Sequence, residues 1–265
     1  MKLLDLFTES KSGEEKFNED GIFFNPPLAA VIDGTTSKEQ KKYNNISSGR
    51  YATQCILSAL EMVSPNLKPY NLICFLNDAL KENIISNNFE FGASASVVIY
   101  NDIRRELISY GDNPYAINGV KYIKIKSLDR VAAQKRVKII EKNMARGVSI
   151  DDIRKNDPGR KEIINFLKET SRSFANKDVP GGYPVIAGQD VIKKFLTIHK
   201  IEKGSEIILA SDGYPEIKSN FKETEKNLQR LITKDILCIN ELKGTKCVEL
   251  GNISFDDRSF LRFTT

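Results

Sequence analysis

Two patterns of apolar residues divide the chain, and they predict its strands and helices in separate blocks. Residues 21–24 and 28–32 are short apolar runs joined by a Pro-Pro turn, which predicts an antiparallel pair of strands. Residues 47–63 and 71–85 repeat apolar positions at helical spacing and predict two amphipathic helices. Four more strands follow with linkers too short for crossover helices, which favours a mostly antiparallel sheet: 93–101, 104–111, 114–119 and 121–126.

The second half of the chain repeats these patterns, with one long helical block in between. Residues 127–190 predict charged helices, and we interpret them as an insertion on a single domain that spans residues 1–265. Helices clustered between runs of adjacent strands predict an α+β layered fold. The remaining elements are two strands, a helix and a last strand, predicted at 193–201, 205–211, 222–233 and 253–263.

Composition and charge exclude several classes of protein. The 265 residues are 40% apolar, enough for a sizeable core, and no run of about 18 apolar residues predicts a membrane span. The net charge of +5 comes from interleaved acidic and basic residues, which predict solvated helix faces and no nucleic-acid site. The first residues make a poor signal peptide, and the four cysteines form no C-x-x-C pair. A cytoplasmic protein without disulfides or a zinc site is therefore expected.

Acidic residues recur at the ends of the predicted strands. Asp33 and Asp212 each end an apolar strand in an Asp-Gly pair. Asp112 falls in a turn between two strands, and the pair Glu19–Asp20 begins the strand at 21–24. Each alone has an ordinary interpretation, as a turn or a solvated strand end.

The pair Asp256–Asp257 is harder to explain in that way. It lies within an apolar predicted strand, where two carboxylates are costly to bury without a positive partner. Arg258 is a candidate partner for one of them, and a metal ion is a candidate partner for both. Acidic strand ends without nearby histidines favour Mg²⁺ or Mn²⁺ over zinc, because these ions prefer oxygen ligands. The residues alone leave a hard-metal site and a set of separate turns both open.

Six motifs occur in an order that resembles one known family: "NED", "VIDGTTS", "GASASVVIYN", "ISYGDNPYAING", "IILASDGYPEI" and "FDDRSFLRF". Over residues 15–263 the chain resembles the metal-dependent Ser/Thr protein phosphatases of type 2C, also called PPM. The resemblance implies a four-layer α-β-β-α sandwich, in which helices flank two stacked, mostly antiparallel sheets. It also implies a phosphorylated protein as substrate and two or three Mn²⁺ or Mg²⁺ ions as cofactors.

In that family the ions lie in a cleft between the sheet ends and activate a water molecule for in-line attack on phosphorus. By resemblance, Asp33 bridges two ions, Gly34 offers its carbonyl oxygen, and Asp212 and Asp256 complete the catalytic ligand set. The family pattern places its ligand first in the Asp256–Asp257 pair, so Asp256 is the expected ligand.

Other acids take supporting roles by the same resemblance. Glu19 matches a direct or water-mediated acidic ligand, and Asp20 supports the same site. Asp112, in "YGDN", matches the acid that helps to hold a third ion in bacterial members. Glu216, in "SDGYPE", matches a later acid of the pattern and shares that role.

The chain departs from the family where the substrate phosphate binds. Active members usually carry an arginine at the position of Glu15, and the neighbouring Lys16 offers a point charge rather than a bidentate partner. Thr35 replaces a histidine common in eukaryotic members, and "GDNP" at 111–114 replaces "GDSR". These departures leave two alternatives to a phosphoprotein phosphatase. One is a weak or inactive regulatory or binding module on the same fold, and the other is a hydrolase of small phosphate esters.

Overall fold

The structure is a computed structural model that describes residues 1–36, 38, 42–90 and 92–265. No helix in these ranges is long and apolar enough to cross a lipid bilayer. The strands are β1 (Lys2–Glu9), β2 (Gly21–Asn25), β3 (Leu28–Gly34), β4 (Lys42–Tyr43), β5 (Ile46–Ser47), β6 (Ala95–Asn101), β7 (Glu106–Tyr110), β8 (Tyr115–Ile117), β9 (Val120–Tyr122), β10 (Thr197–Lys200), β11 (Glu206–Ala210) and β12 (Arg258–Thr264). The helices are α1 (Ser48–Met62), α2 (Pro69–Ser86), α3 (Ser127–Ala145), α4 (Ile150–Lys155), α5 (Pro158–Phe174) and α6 (Phe221–Lys234).

Two five-stranded sheets form the centre of the molecule. The first sheet has the strand order β1-β12-β11-β8-β9 and the second has the order β10-β7-β6-β3-β2, while β4 and β5 form a separate ribbon. Every strand pair in both sheets is antiparallel. The four consecutive strands predicted between 93 and 126 are divided between the sheets, because the turn after β7 carries the chain from the second sheet to the first.

Alternate residues of each long strand face opposite layers, because successive side chains of a strand point to opposite faces. In β3, Ala30 and Ile32 pack with the helices α1 and α2, while Ala29 and Val31 pack between the two sheets. Leu228 of α6 packs on the outer face of the first sheet. The layers are therefore α1 with α2, the second sheet, the first sheet and α6. The predicted α-β-β-α sandwich is confirmed.

The sequence patterns do not predict β1. This strand pairs with β12 along its whole length, from Lys2 opposite Thr264 to Glu9 opposite Arg258. Its leucines are not in a clean alternation, and Leu6 is 51% exposed. The strand forms because it pairs with β12, and this pairing cannot be recognised from the pattern of residues 2–9 alone.

The last strand is shorter than the predicted range of 253–263. It begins at Arg258, so Asp256 and Asp257 lie in the loop before it. The Asp257 carboxylate accepts hydrogen bonds from the backbone N–H groups of Lys11 (2.8 Å) and Glu19 (2.9 Å). These contacts hold two separate loops together, and they explain why this buried carboxylate is tolerated outside a strand ladder.

One buried arginine anchors α3 and the start of α5 to the loop after α6. Arg136 of α3 donates from Nε to the carboxylate of Asp157 at 2.8 Å. Its other nitrogens donate to the carbonyl oxygens of Leu237 (2.9 Å) and Gly244 (3.1 Å). The cost of burying the guanidinium is offset by these bonds, and the loop that leads to Lys246 is thereby fixed.

Candidate metal centre

One cavity of about 620 Å³ opens at the ends of the two sheets. Gly34 and four of the predicted acidic ligands line it: Asp33, Asp112, Asp212 and Asp256. The strands β3 and β7 both pair antiparallel with β6, so they run in the same direction and deliver Asp33 and Asp112 to the same edge. The end of β11, next to Asp212, meets the start of β12, next to Asp256, because these strands are also antiparallel. The topology thus brings together four acids that are far apart in the sequence.

Two of the four acids have lysine partners. The Nζ atom of Lys126 lies 2.7 Å from Oδ2 of Asp112, and Ser96 donates its hydroxyl to Oδ1 at 2.8 Å. The Nζ atom of Lys246 lies 2.6 Å from Oδ2 of Asp256. Burial acts to raise the pKa of each carboxyl group, but these positive charges outweigh it and hold the pKa of Asp112 and of Asp256 below its usual value.

The other two acids have no ion pair with a described lysine or arginine. Burial, followed by the negative charge of Asp20, raises the pKa of Asp33 well above its usual value. The charge of Asp33 is the largest cause that raises the pKa of Asp212, ahead of burial. The side chain of Asp212 is open to the cavity, so solvent there screens part of this repulsion. The charges of Lys126 and Lys246 act on these acids from a distance, but no described lysine or arginine neutralises them by direct contact.

Glu19 and Asp20 are buried beside the cavity, with exposed fractions of 4% and 8%. Oε2 of Glu19 accepts a hydrogen bond from the Thr36 hydroxyl at 2.6 Å. Among the described residues, Oε1 of Glu19 and Oδ2 of Asp20 have no hydrogen-bond partner. Burial is the main cause that raises the pKa of Asp20, and the neighbouring charges of Asp257 and Asp212 add to it. Two buried carboxylate oxygens without partners indicate room for a cation.

The structure separates the roles of Asp256 and Asp257. Asp256 lines the cavity, whereas Asp257 is 3% exposed and uses both oxygens to bind backbone N–H groups. The geometry therefore favours Asp256 over Asp257 for any role inside the cavity.

Gly34 is required by the close approach of β3 to the start of α1. A Cβ atom on Gly34 would lie 2.3 Å from the carbonyl oxygen of Glu19 and 2.5 Å from that of Gly49. The carbonyl oxygen of Gly34 in turn lies 2.7 Å from the place where a Cβ atom of Gly49 would be. This packing explains the glycine without a metal, and the ligand role of its carbonyl group stays a prediction.

The structure does not bring Glu216 or Lys16 to the cavity. Glu216 is bound by Lys218 at 2.5 Å and by Lys121 at 3.6 Å, and its side chain is 41% exposed. Lys16 is 69% exposed, forms a 2.8 Å ion pair with Glu14 and does not line the cavity. Both residues form ion pairs with nearby residues at the exposed surface, and these pairs hold them away from the acids of the cavity.

Several basic residues that the sequence analysis did not single out line the cavity: Lys38, Lys126, Arg160 and Lys246. Burial and the charge of Lys126 lower the pKa of Lys38 to about 8. Arg160 donates from Nη1 to the carbonyl oxygen of Thr245 at 3.4 Å. The only hint in the sequence was that Glu15 stands where the family usually has an arginine, which suggests that another basic residue binds the phosphate. The sequence does not indicate which one, because most lysines and arginines are simply exposed to solvent.

The donor chemistry of the cavity fits a hard divalent ion on the side of Asp33 and Asp212. Carboxylate oxygens dominate there, and the unpartnered Oδ2 of Asp20 adds an oxygen without a competing hydrogen bond. Among the described residues, however, no three His, Cys, Asp or Glu side chains stand close enough together to hold an ion as they are placed. An ion at this site would therefore be held by one or two carboxylates together with carbonyl oxygens and water.

No protein-family model matches the chain, and no curated protein matches it by sequence. Solved structures do match it over nearly its full length. The Ser/Thr phosphatase Stp1 from Staphylococcus aureus matches with a TM-score of 0.52 and 14% identity, covering 100% of this chain and 95% of that one. The Ser/Thr phosphatase PstP/Ppp from Mycobacterium tuberculosis matches with a TM-score of 0.51 and 14% identity, covering 98% and 97%. The catalytic domain of PstP in complex with two manganese ions matches with a TM-score of 0.47 and 15% identity, covering 99% and 98%.

The likenesses to Stp1 and PstP/Ppp, at this level of identity, show the fold alone. They confirm at that level the resemblance carried by the six sequence motifs.

Proposed function

We propose that this chain, which has the fold of the PPM-type Ser/Thr phosphatases, hydrolyses phosphoserine and phosphothreonine in proteins with the help of Mn²⁺ or Mg²⁺. The proposed ligands are Asp33 and Asp212, with Asp20 next to them. The fold, the order of the acidic motifs and the oxygen-rich cavity all support this function. A cytoplasmic location belongs to the same proposal and rests on the scattered cysteines.

One observation carries the proposal: three neighbouring carboxyl groups, Asp20, Asp33 and Asp212, form no ion pair with a described lysine or arginine. Burial and their mutual repulsion raise the pKa of each. Neighbouring carboxylates without a cation partner reduce the stability of the fold, and such groups are typical of functional sites. A bound divalent ion supplies Lewis-acid stabilisation of phosphoryl charge and lowers the pKa of water.

The walls of the cavity suit an anionic substrate. Lys38, Arg160 and Lys126 place positive charge around the mouth, which attracts a phosphate group and orients it toward the acids. The charge-dispersed transition state of phosphoryl transfer gains from such cations. Asp33 and Asp212 line the same cavity and are the proposed ligands of the ion.

The test is hydrolysis by the purified chain, after treatment with a chelator, of p-nitrophenyl phosphate and of a phosphothreonine peptide. We expect turnover only after Mn²⁺ or Mg²⁺ is added. We also expect a lower KM for the peptide than for the small ester. Glu216→Gln is the matched control, because this acid lies outside the cavity. Absence of turnover of both substrates with either ion would refute the proposal.

A second candidate function is a non-catalytic module that binds phosphorylated proteins. The lysine partners of Asp112 and Asp256 favour it, because they neutralise two of the predicted ligands. In that case the phosphopeptide binds without being hydrolysed, and the affinity is the same with and without metal. A preference for small phosphate esters over the peptide would instead favour the small-molecule hydrolase.

A further inference from the structure

Three lysine side chains reach into the acidic cluster, and each comes from a different part of the chain. Lys126 lies at the start of α3 and pairs with Asp112 at 2.7 Å. Lys246 lies in the loop anchored by Arg136 and pairs with Asp256 at 2.6 Å. Lys11 follows β1 and also approaches Asp256, at 3.8 Å.

Lys11 has the surroundings of a bound cation. Its ammonium group lies 3.5 Å from Oε2 of Glu19, 3.5 Å from Oδ1 of Asp257 and 3.8 Å from Oδ1 of Asp256. Its backbone N–H also donates to Oδ1 of Asp257 at 2.8 Å. The side chain is only 23% exposed, so these three carboxylates are the main environment of the charge.

We propose that the ammonium groups of Lys11, Lys126 and Lys246 take the place of metal ions at Asp112 and Asp256, so that the centre binds a single divalent ion at Asp33 and Asp212. The centre is then a hybrid of one exchangeable metal ion and three built-in cations. The inference rests on the proposed function for the existence of that ion, and it goes further in assigning the number of ions and the residues that replace the others.

Electrostatics gives the reason that the two kinds of cation exclude each other at one carboxylate. A lysine at 2.6–2.7 Å occupies an oxygen lone pair and neutralises the charge that would attract a metal ion. A divalent ion brought to the same carboxylate would repel the ammonium group at short distance in a medium of reduced dielectric.

The lysines are also held where they are. The ammonium group of Lys126 lies 4.9 Å from the centre of the Tyr183 ring, a cation–π distance, so it is fixed from a second side. The loop that carries Lys246 is bound through the Gly244 carbonyl to the buried Arg136. Displacing Lys126 therefore breaks two interactions, and the backbone two residues before Lys246 is fixed.

The other side of the cavity offers a metal ion the reverse situation. No described lysine or arginine forms an ion pair with Asp33 or Asp212. Asp20 adds to the negative charge there, and its Oδ2 atom has no partner in the described part of the chain. A divalent ion placed there removes like-charge repulsion without displacing a lysine.

The test counts Mn²⁺ ions per chain by isothermal titration calorimetry, with free Mn²⁺ measured by electron paramagnetic resonance. We expect one ion per chain in the metal-stripped wild type. Asp256→Asn should leave this number and the affinity unchanged, within about twofold, because Asp256 is already neutralised. Asp33→Asn should lower the affinity by at least about a hundredfold, in line with the loss of a direct metal ligand.

Lys246→Met is the variant that creates a site. It leaves Asp256 without its closest partner, so we expect a second Mn²⁺ ion to bind and to raise the melting temperature more than in the wild type. Lys243→Met is the matched control, because it removes a lysine that lines the same cavity but pairs with no described acid. It should change neither the number of bound Mn²⁺ ions nor the rise in melting temperature that Mn²⁺ causes.

The outcomes separate this inference from the proposed function. Two or more ions in the wild type, one of them lost in Asp256→Asn, would overturn the inference while metal-dependent hydrolysis still stands. One ion per chain without any hydrolysis would support the inference and refute the proposed catalysis. No bound ion at all would overturn both.

Discussion

The four aspartates that line the cavity form two pairs, and the pKa values of the two pairs are shifted in opposite directions. Asp112 and Asp256 make up one side, and Asp33 and Asp212 the other. On one side, lysines hold the pKa of Asp112 and of Asp256 below its usual value, although burial acts against them. On the other, burial and neighbouring acids raise the pKa of Asp33 and of Asp212. A carboxylate at a strand end is therefore not a metal ligand by position alone. What its neighbours contribute decides whether it still needs a cation.

The largest expected effect comes from removing the uncompensated side. Asp33→Asn with Asp212→Asn should lower turnover of p-nitrophenyl phosphate in Mn²⁺ by about a thousandfold or more, because the metal ligands are lost. The same variant should unfold at a higher temperature without metal, because like-charge repulsion is removed. Kinetics and thermal melts check both effects, and a less stable variant would mean that these acids have partners after all.

Removing a cation from the compensated side should have the opposite effect on stability. Lys126→Met leaves Asp112 half-buried and unpaired, and we expect the free energy of unfolding to fall by about 2 kcal/mol, less than for a fully buried pair because both side chains touch solvent. Urea denaturation measures it. Lys124→Met is the control, since Lys124 lines the same cavity and instead donates to Thr197. Equal losses in the two variants would contradict the comparison.

The two sides should also respond to pH with opposite sign. For Asp20 and Asp33, whose pKa is raised in the folded state, the stabilisation is present below the unfolded value and is lost as the pH rises through the folded pKa. For Asp112 and Asp256, whose pKa is lowered, stability is present above the unfolded value and is lost as the pH falls through the folded pKa.

In the metal-free chain, the free energy of unfolding should therefore decrease as the pH is raised above about 4, where aspartate titrates in the unfolded chain. Urea titrations at a series of pH values measure this slope. Mn²⁺ should remove it in the wild type, and Asp33→Asn should weaken it without metal. A slope that Asp33→Asn leaves unchanged would point to other groups.

The smallest expected effect concerns the rim of the cavity. The pKa of Lys38 is about 8, so this lysine is mostly charged at pH 7 and mostly neutral at pH 9. Sulfate, whose own charge is constant over this range, should bind about threefold more weakly at pH 9. Calorimetry on the wild type and on Lys38→Met tests this, because the variant should bind equally at both pH values. An identical pH dependence in both proteins would exclude Lys38 as the cause.

The sequence predicted most of the fold because its strands and helices have strong local patterns. The strands β3 and β6 and the helices α1 and α6 lie within a few residues of their predicted ranges. The strand β1 could not be predicted in this way, since its leucines do not alternate and its partner lies at the other end of the chain. Asp256 and Asp257 were placed in a strand because their neighbours are apolar, whereas backbone N–H groups from two other loops hold Asp257 outside the ladder.

The candidate site was predicted in part for the same physical reason. Asp33, Asp112, Asp212 and Asp256 do line one cavity, because antiparallel pairing brings the neighbouring strand ends to one edge. Glu216 matched a motif but has local lysine partners in solvent and stays outside. Lys126 and Lys246 matched no motif and reach the acids all the same.

The sequence by itself determined the layered α+β fold and the set of acids available to it, because apolar periodicity and Asp-Gly turns are local properties. Only the tertiary structure decided which acids keep an unbalanced charge. That balance depends on lysines ten or more residues away along the chain, and electrostatic energy follows distance in space rather than distance in sequence.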